Sequence, residues 1–308
     1  MSDKEVPVNR RTISSIGAMI IAILGATSIS YGRDRSVSIG RDDDVTSCDQ
    51  LNIRFDQRAA TLEPEVFKVS KDSAKPLRVV TEFHGGIVVY GGTQDQYTVK
   101  ACKAAVNNDN GRKLLQQIKV AVANGEVKVD GPTPNEDWLV YFIIEVPTNA
   151  NVDLTAVNAP ISIRSFSGRA LARTTNGPIA VMESSGTIDV KAVNGPVAFR
   201  GSSGDVTLRA ENGPIDIEIE SARWQGAKLD AHTENGPVQL HLPAKFESAA
   251  LVETSAHSPF QCRAEACGTA KRTWNDNSRR IEFGGSSPVV KVSNVNGPVS
   301  IVEHKGSL

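Results

Sequence analysis

Past residue 158 the chain alternates apolar and polar positions in short runs, and the runs return at a fixed interval. Ile161, Ile179, Val197 and Ile215 stand 18 residues apart, and Ile163, Val181, Phe199 and Ile217 repeat that spacing two positions on. Between them lie Ser162, Ala180, Ala198 and Asp216, then Arg164, Met182, Arg200 and Glu218. Successive side chains of a strand point to opposite faces, so a period of two predicts strands with one face inward. A second inward set follows within each period: Ala170, Ile188, Val206; Ala172, Val190, Leu208; Thr174, Ala192, Ala210.

Both sets of runs begin at corner signals. Asn176-Gly177-Pro178, Asn194-Gly195-Pro196 and Asn212-Gly213-Pro214 recur every 18 residues, with Asn158-Ala159-Pro160 one period earlier. Gly168, Gly186 and Gly204, each after a serine, keep the same interval. Asn and Gly tolerate a left-handed corner, and Pro sits at the first strand position, where a missing ladder donor is harmless. Two corner signals at one spacing predict stacked coils of one unit. The fold class expected is all-β, a parallel β-solenoid with coils of about 18 residues. Parallel crossovers make its hand right-handed, a β-helix. Neighbouring strands would lie about 4.8 Å apart, and the stacked asparagines can bond to one another as an amide ladder. An antiparallel sandwich is the alternative, because hairpins also favour Asn-Gly. It gives no reason for inward residues to return every 18 positions.

The beat then loosens. Asn235-Gly236-Pro237 comes 23 residues after Asn212, which predicts a five-residue insertion around Ala222–Gly226. Asn296-Gly297-Pro298 closes the chain, and residues 243–280 read as an excursion from the stack.

Residues 48–150 lack the beat but are β-rich. Ile87–Tyr90 and Tyr97–Cys102 read as a hairpin-like pair, and Arg112–Gln117 as a short helix. Val120 and Val122 alternate up to Asn124-Gly125, and Val127 and Val129 after it, a two-residue hairpin signature. Trp138–Val146 is a long apolar strand. This part is expected to be the irregular N-terminal end of the solenoid, capping an otherwise naked sheet edge. A separate domain is the alternative.

Before it, residues 1–30 read as a signal peptide or N-terminal anchor. Lys4, Arg10 and Arg11 precede an apolar stretch from Ile16 to Ala26 and then small residues. The stretch is short against the roughly 20 residues of a spanning helix. Cleavage after Ser28 or Ser30 fits, and an uncleaved anchor stays open. Residues 31–47, with Asp42-Asp43-Asp44, read as a solvated linker. The regular coils then occupy 151–303.

The net charge of −1 and the lack of a basic run argue against nucleic acid as a partner. Four cysteines in an exported chain suit two disulfides. Of the three pairings, Cys48 with Cys102 and Cys262 with Cys267 are favoured, the second stapling the tip of the excursion. The five histidines show no ligand spacing, and no cofactor or metal is implied.

Several of these segments resemble a known family. The export signal is followed by Gly-Gly-Ile-Val-Val-Tyr-Gly at 85–91 and Val-Pro at 146–147. Thr-Asn-Gly-Pro-Ile at 175–179 then alternates with Ser-Ser-Gly-Thr-Ile-Asp-Val at 184–190. The chain resembles the bacterial putative adhesin family, domains of unknown function forming right-handed, single-stranded β-helices, over roughly 48–303. That resemblance implies an envelope or surface location and a binding role, with no catalytic residues to carry over.

Candidate chemistry is sparse. Asp189 and Asp205 lie on adjacent coils and Asp216 and Glu218 on the other face, which raises the alternative of a carbohydrate-active enzyme with two carboxylates across a glycosidic bond. No His or Lys column stands beside them for acid–base work. The outward column Arg173, Lys191 and Arg209 is a candidate cationic strip for anionic glycan or lipid headgroups. Phe260 and Trp274 flank the cysteine pair as candidate aromatic contacts. The expectation is an exported, non-enzymatic surface-binding protein, its partner an anionic glycan or an envelope protein. It would meet a membrane only through an uncleaved N-terminal segment. An envelope scaffold or stress-signalling partner is the second alternative.

Overall fold

The computed structural model describes residues 29–30, 35–38, 44–71, 76–81, 85–133, 137–285 and 287–304. The basic and apolar parts of the expected export signal lie outside them. Among the described residues the chain is all-β apart from a helix, Asp109–Gln117, and two short 3-10 turns. The strands form two large, mostly parallel sheets, one of 14 strands and one of 12.

Through the regular region the chain visits the two sheets alternately, and each strand pairs with the strand one repeat away. In the first sheet Ile161 is in register with Ile179, Ile179 with Val197 and Val197 with Ile215. In the second, Ala170 faces Ile188 and Ile188 faces Val206. All seven are buried and belong to one continuous core between the sheets. The alternation of branched inward and polar outward residues produces this, because a slip of one residue would turn every inward side chain to solvent.

The corners lock the register. Each asparagine Nδ2 donates to the Oδ1 of the asparagine one repeat below: Asn176 to Asn158 at 2.8 Å, Asn194 to Asn176 at 3.0 Å, Asn212 to Asn194 at 3.1 Å. Asn235 continues to Asn212 at 3.1 Å, and Asn296 to Asn235 at 2.9 Å. The glycines beside them are dictated by close approach. A Cβ on Gly195 would drive into the carbonyl of Gly177, and one on Gly213 into that of Gly195. Each proline carbonyl accepts from the first strand residue of the repeat below, as Pro178 does from Ile161 and Pro196 from Ile179, both at 3.0 Å.

The insertion falls where the spacing placed it. Gly201 still pairs with Ile219, Ser203 pairs with Gln225, and after a bulge Asp205 pairs with Lys228. Four extra residues thus precede Gln225 and one more forms the bulge. Trp224 of this insert is buried and donates to the Gly204 carbonyl at 3.2 Å.

Three expectations need correction. Residues 243–280 are not a single excursion. Ala250–Ser255 and Phe260–Cys262 form a further repeat, pairing in parallel with Val290–Asn296 and Val299–Glu303. The C-terminal strands therefore lie inside the stack, between Gln225–Asn235 and Ala250–Ser255 in one sheet and between Val238–Leu242 and Phe260–Cys262 in the other. Only the hairpin Lys271–Trp274 and Ser278–Phe283 leaves the pattern, and it extends the second sheet antiparallel.

The pairing of 87–90 with 97–102 also differs. Trp138–Pro147 lies between Gly85–Gly92 and Gln96–Val106, parallel to the first and antiparallel to the second. Its nearly continuous apolar run suits a strand covered on both faces. Its outward Tyr141 is buried and packs over Gly86, where a Cβ would strike the ring.

Finally, 31–47 is not a solvated linker throughout. Arg35–Ser38 pairs with Asn52–Phe55, Val45 is buried, and Asp44 bonds Arg164 at 2.9 Å. The disulfide Cys48–Cys102 pins this segment over the outward face of the first sheet. The expected helix begins earlier than Arg112, at Asp109, because the Asn108 side chain caps it by accepting from Gly111 N at 2.8 Å. The Asn124-Gly125 hairpin is present, with both residues at positive φ.

Candidate binding surfaces

Stacking at repeat spacing brings Arg173, Lys191 and Arg209 into one outward column of the second sheet, in register. Like charges on neighbouring strands repel, and the sequence answers with acids in adjoining columns. Arg173 Nη1 lies 3.9 Å from Asp153, Lys191 Nζ 2.8 Å from Glu211, and Arg209 Nη1 3.1 Å from Asp230. Arg209 also donates to the Asp230 carbonyl at 3.0 Å. The column is therefore a row of ion pairs rather than a strip of unpaired cations. The sequence reading missed this because each acid sits on a neighbouring row, where its reach depends on side-chain direction.

The candidate carboxylates Asp189 and Asp205 stand diagonally on adjacent strands. Asp189 is in register with Thr207, and Asp205 with Thr187 and Lys228, so the two acids keep an offset of two positions. Asp216 lies 3.1 Å from His241 Nε2, and Glu218 4.0 Å from Arg200. Arg200 bonds Glu220 more closely, at 2.8 Å. Among the described residues no group of three or more His, Cys, Asp or Glu side chains is placed to hold a metal ion.

The two candidate aromatics separate. Phe260 opens the edge strand of the first sheet and packs, partly buried, against the core. Trp274 ends the edge strand of the second sheet and is 57% exposed. Between them the disulfide Cys262–Cys267 closes a short loop. Trp274 lines an open cleft of about 480 Å³ with Ala256, His257, Asn275, Asp276 and Arg279. The Arg279 guanidinium carbon lies 5.4 Å from the indole centroid, and its Nη1 donates to the Ser258 carbonyl at 2.9 Å. Asn275 Oδ1 accepts from Asn277 N and Ser278 N at 2.9 and 2.8 Å, which fixes the hairpin turn beneath the indole. Of the residues singled out in the sequence for contact, Trp274 is the one presented to solvent on a braced support.

No family model and no curated protein matches the chain. Solved structures similar to it include a putative adhesin from Bacteroides fragilis NCTC 9343, with 13% identity and a TM-score of 0.44, covering 79% of this chain and 97% of that one. A putative cell adhesion protein from Clostridium sporogenes ATCC 15579 has 11% identity and a TM-score of 0.32, covering 79% and 98%. A putative lipid binding protein from Parabacteroides distasonis ATCC 8503 has 12% identity and a TM-score of 0.35, covering 80% and 97%. These are distant likenesses of β-rich chains, too remote to speak for ligand or activity.

Proposed function

We propose that the chain is an exported, non-enzymatic, right-handed β-solenoid that acts as an adhesin or envelope surface-binding protein. Residues 48–150 form its N-terminal capping part, and its contact with a partner is made at the C-terminal end of the stack. The observation that carries this reading is the contrast between the flanks and that end. Along the flanks several of the charged side chains are held in pairs such as Arg209–Asp230 and Arg200–Glu220. At the end an indole stands in solvent above a fixed turn. Two disulfides suit an oxidising compartment outside the cytosol. The partners held by Asp216 and Glu218 favour binding over glycosidic chemistry at that pair, because the reaction needs two carboxylates free to face one bond.

The test is retention of the oxidised full chain on envelope fractions. Saturable retention is expected, with no soluble sugar released. Retention no better than that of the heat-unfolded protein would overturn the binding role. Release of oligosaccharide that stops in Asp189→Asn would overturn the non-enzymatic one.

A further inference from the structure

The asparagine ladder ends at Asn296, although one more repeat lies beyond it. Counted back from the pair Val299 and Phe260, Pro259 stands opposite Pro298 and Ser258 opposite Gly297, but counted forward from the pair Asn294 and Thr254 it is Ala256 that stands opposite Asn296, so this corner holds one extra residue. The proline keeps its role, because Val299 N donates to the Pro259 carbonyl at 2.8 Å, as Ile161 N does to Pro178. The terminal corner has thus exchanged Asn-Gly for the longer Ala-His-Ser. Ser258 is tied down by Ser255 Oγ at 2.9 Å and by the Val295 carbonyl at 3.3 Å. Beside this altered corner stands the hairpin turn bearing Trp274 and Arg279, and the cleft of about 480 Å³ lies between them. The cleft is open to solvent, so a ligand would lie against its lining rather than be enclosed by it.

The chemistry of that cleft is selective. Trp138 and Trp224 are 4% and 6% exposed, against 57% for Trp274. An indole left in water offers a flat apolar face on the side that Arg279 does not cover. Arg279 spends Nη1 on the Ser258 carbonyl, and its remaining N–H groups keep the planar fork that matches a carboxylate. The Asn275 amide N–H groups, Asp276 and His257 supply donors and acceptors for hydroxyl groups. The same edge strand carries exposed Lys271 and Arg272, whereas Arg280 is already paired with Glu282 at 2.6 Å. Within the cleft Arg279 and Asp276 balance in formal charge, and Lys271 and Arg272 add cations on the strand beside it. Resting on the surface-binding reading above, we infer that this cleft is a saccharide site. It takes a pyranose bearing a carboxylate, with the ring against Trp274, the carboxylate on Arg279 and the hydroxyls on Asn275, Asp276 and His257.

Calorimetry on the oxidised full chain tests this with tri-galacturonate and sialyllactose against the neutral galactotriose and lactose. At least one acidic sugar is expected to bind ten-fold or more tighter than its neutral counterpart and to shield Trp274 emission from acrylamide. Trp274→Ala is expected to lose binding ten-fold or more with an unchanged melting temperature. Arg279→Gln is expected to bind acidic and neutral sugars alike. Equal affinity of the parent protein for acidic and neutral sugars, or an undiminished preference in Arg279→Gln, would overturn the carboxylate assignment. No binding of any of the four sugars, full binding by Trp274→Ala, or equal displacement by tetraglutamate would overturn the saccharide site. Envelope retention that survives Trp274→Ala would sink this site and leave the surface-binding reading standing. Loss of all retention in the parent protein would sink that reading instead.

Discussion

Asn212 sits in the middle of the amide ladder, donating to Asn194 and accepting from Asn235. Among the described residues Asn158 accepts from Asn176 and donates to no side chain. A net hydrogen bond is worth about 0.5–1.5 kcal/mol. Asn212→Ala is therefore expected to cost about 1–2 kcal/mol and Asn158→Ala about half of that, read from urea unfolding midpoints. Equal costs would mean that the asparagines act only as corner formers. Gly195→Ala forces a methyl into the Gly177 carbonyl and is expected to cost about 1–3 kcal/mol or more, as overpacking does. Tyr141 sets a pH limit. Burial, then the neighbouring Tyr90, pushes its phenol far above the ordinary range. At and below neutral pH both folded and unfolded chains keep the proton, and the full stability is present. Above about pH 10 the unfolded chain releases its proton first, so stability falls as pH rises. Tyr141→Phe is expected to raise the pH of alkaline unfolding. An unmoved alkaline limit would show that Tyr141 does not set it.

At the scale of elements, the two disulfides close very different loops, with sequence separations of 54 and 5. Loop-closure entropy then gives about 4 kcal/mol for Cys48–Cys102 and about 2 kcal/mol for Cys262–Cys267. The double Cys→Ser variants should rank in that order in urea unfolding, and the reverse order would contradict the pinning role of the first. What the sequence disclosed about these elements follows one rule. Residues 161–219 were legible because their partners stand at a constant spacing, which any reader of the chain can count. The placement of Trp138–Pro147 between two earlier strands was not, because nothing local records which strand arrives later to separate two neighbours. The terminal repeat hid for a related reason: His257-Ser258-Pro259 keeps only the proline of the corner signal. The order of Ala250–Ser255 and Val290–Asn296 in the sheet was equally silent, since both carry the same inward pattern and either could follow Gln225–Asn235. At the candidate site, Trp274 was visible as an aromatic near a cysteine pair. Its support by Arg279 and Asn275 was not, because that depends on an antiparallel hairpin within a parallel pattern.

At the scale of the whole molecule, the two ends are finished differently. The N-terminal part carries the helix with Leu114 and Leu115 buried and the segment around Cys48 pinned over its outward face, while the C-terminal end leaves Trp274 outside. The flanks between carry several charges matched across columns, and exposed pairs of that kind are worth about 0–1 kcal/mol each. The double variant Arg173→Glu/Arg209→Glu is therefore expected to keep envelope retention within about two-fold, whereas Trp274→Ala loses it. The opposite outcome would move the contact to the flank. All of this depends on repeats lying in register in the order set by strand pairing. Thr155, Arg173, Lys191, Arg209, His232, Ser293 and Glu253 form one outward column in that order. The most direct measurement is the distance between spin labels on cysteines placed at residues 155 and 293, and at 155 and 253, taken by electron–electron double resonance. At about 4.8 Å per strand the spacings should be about 24 Å and about 29 Å. The label at 253 should thus be the farther one although it comes earlier in the chain. A shorter distance to 253 than to 293, or two distances unrelated to the strand count, would contradict the stacked order and with it the placement of the binding end.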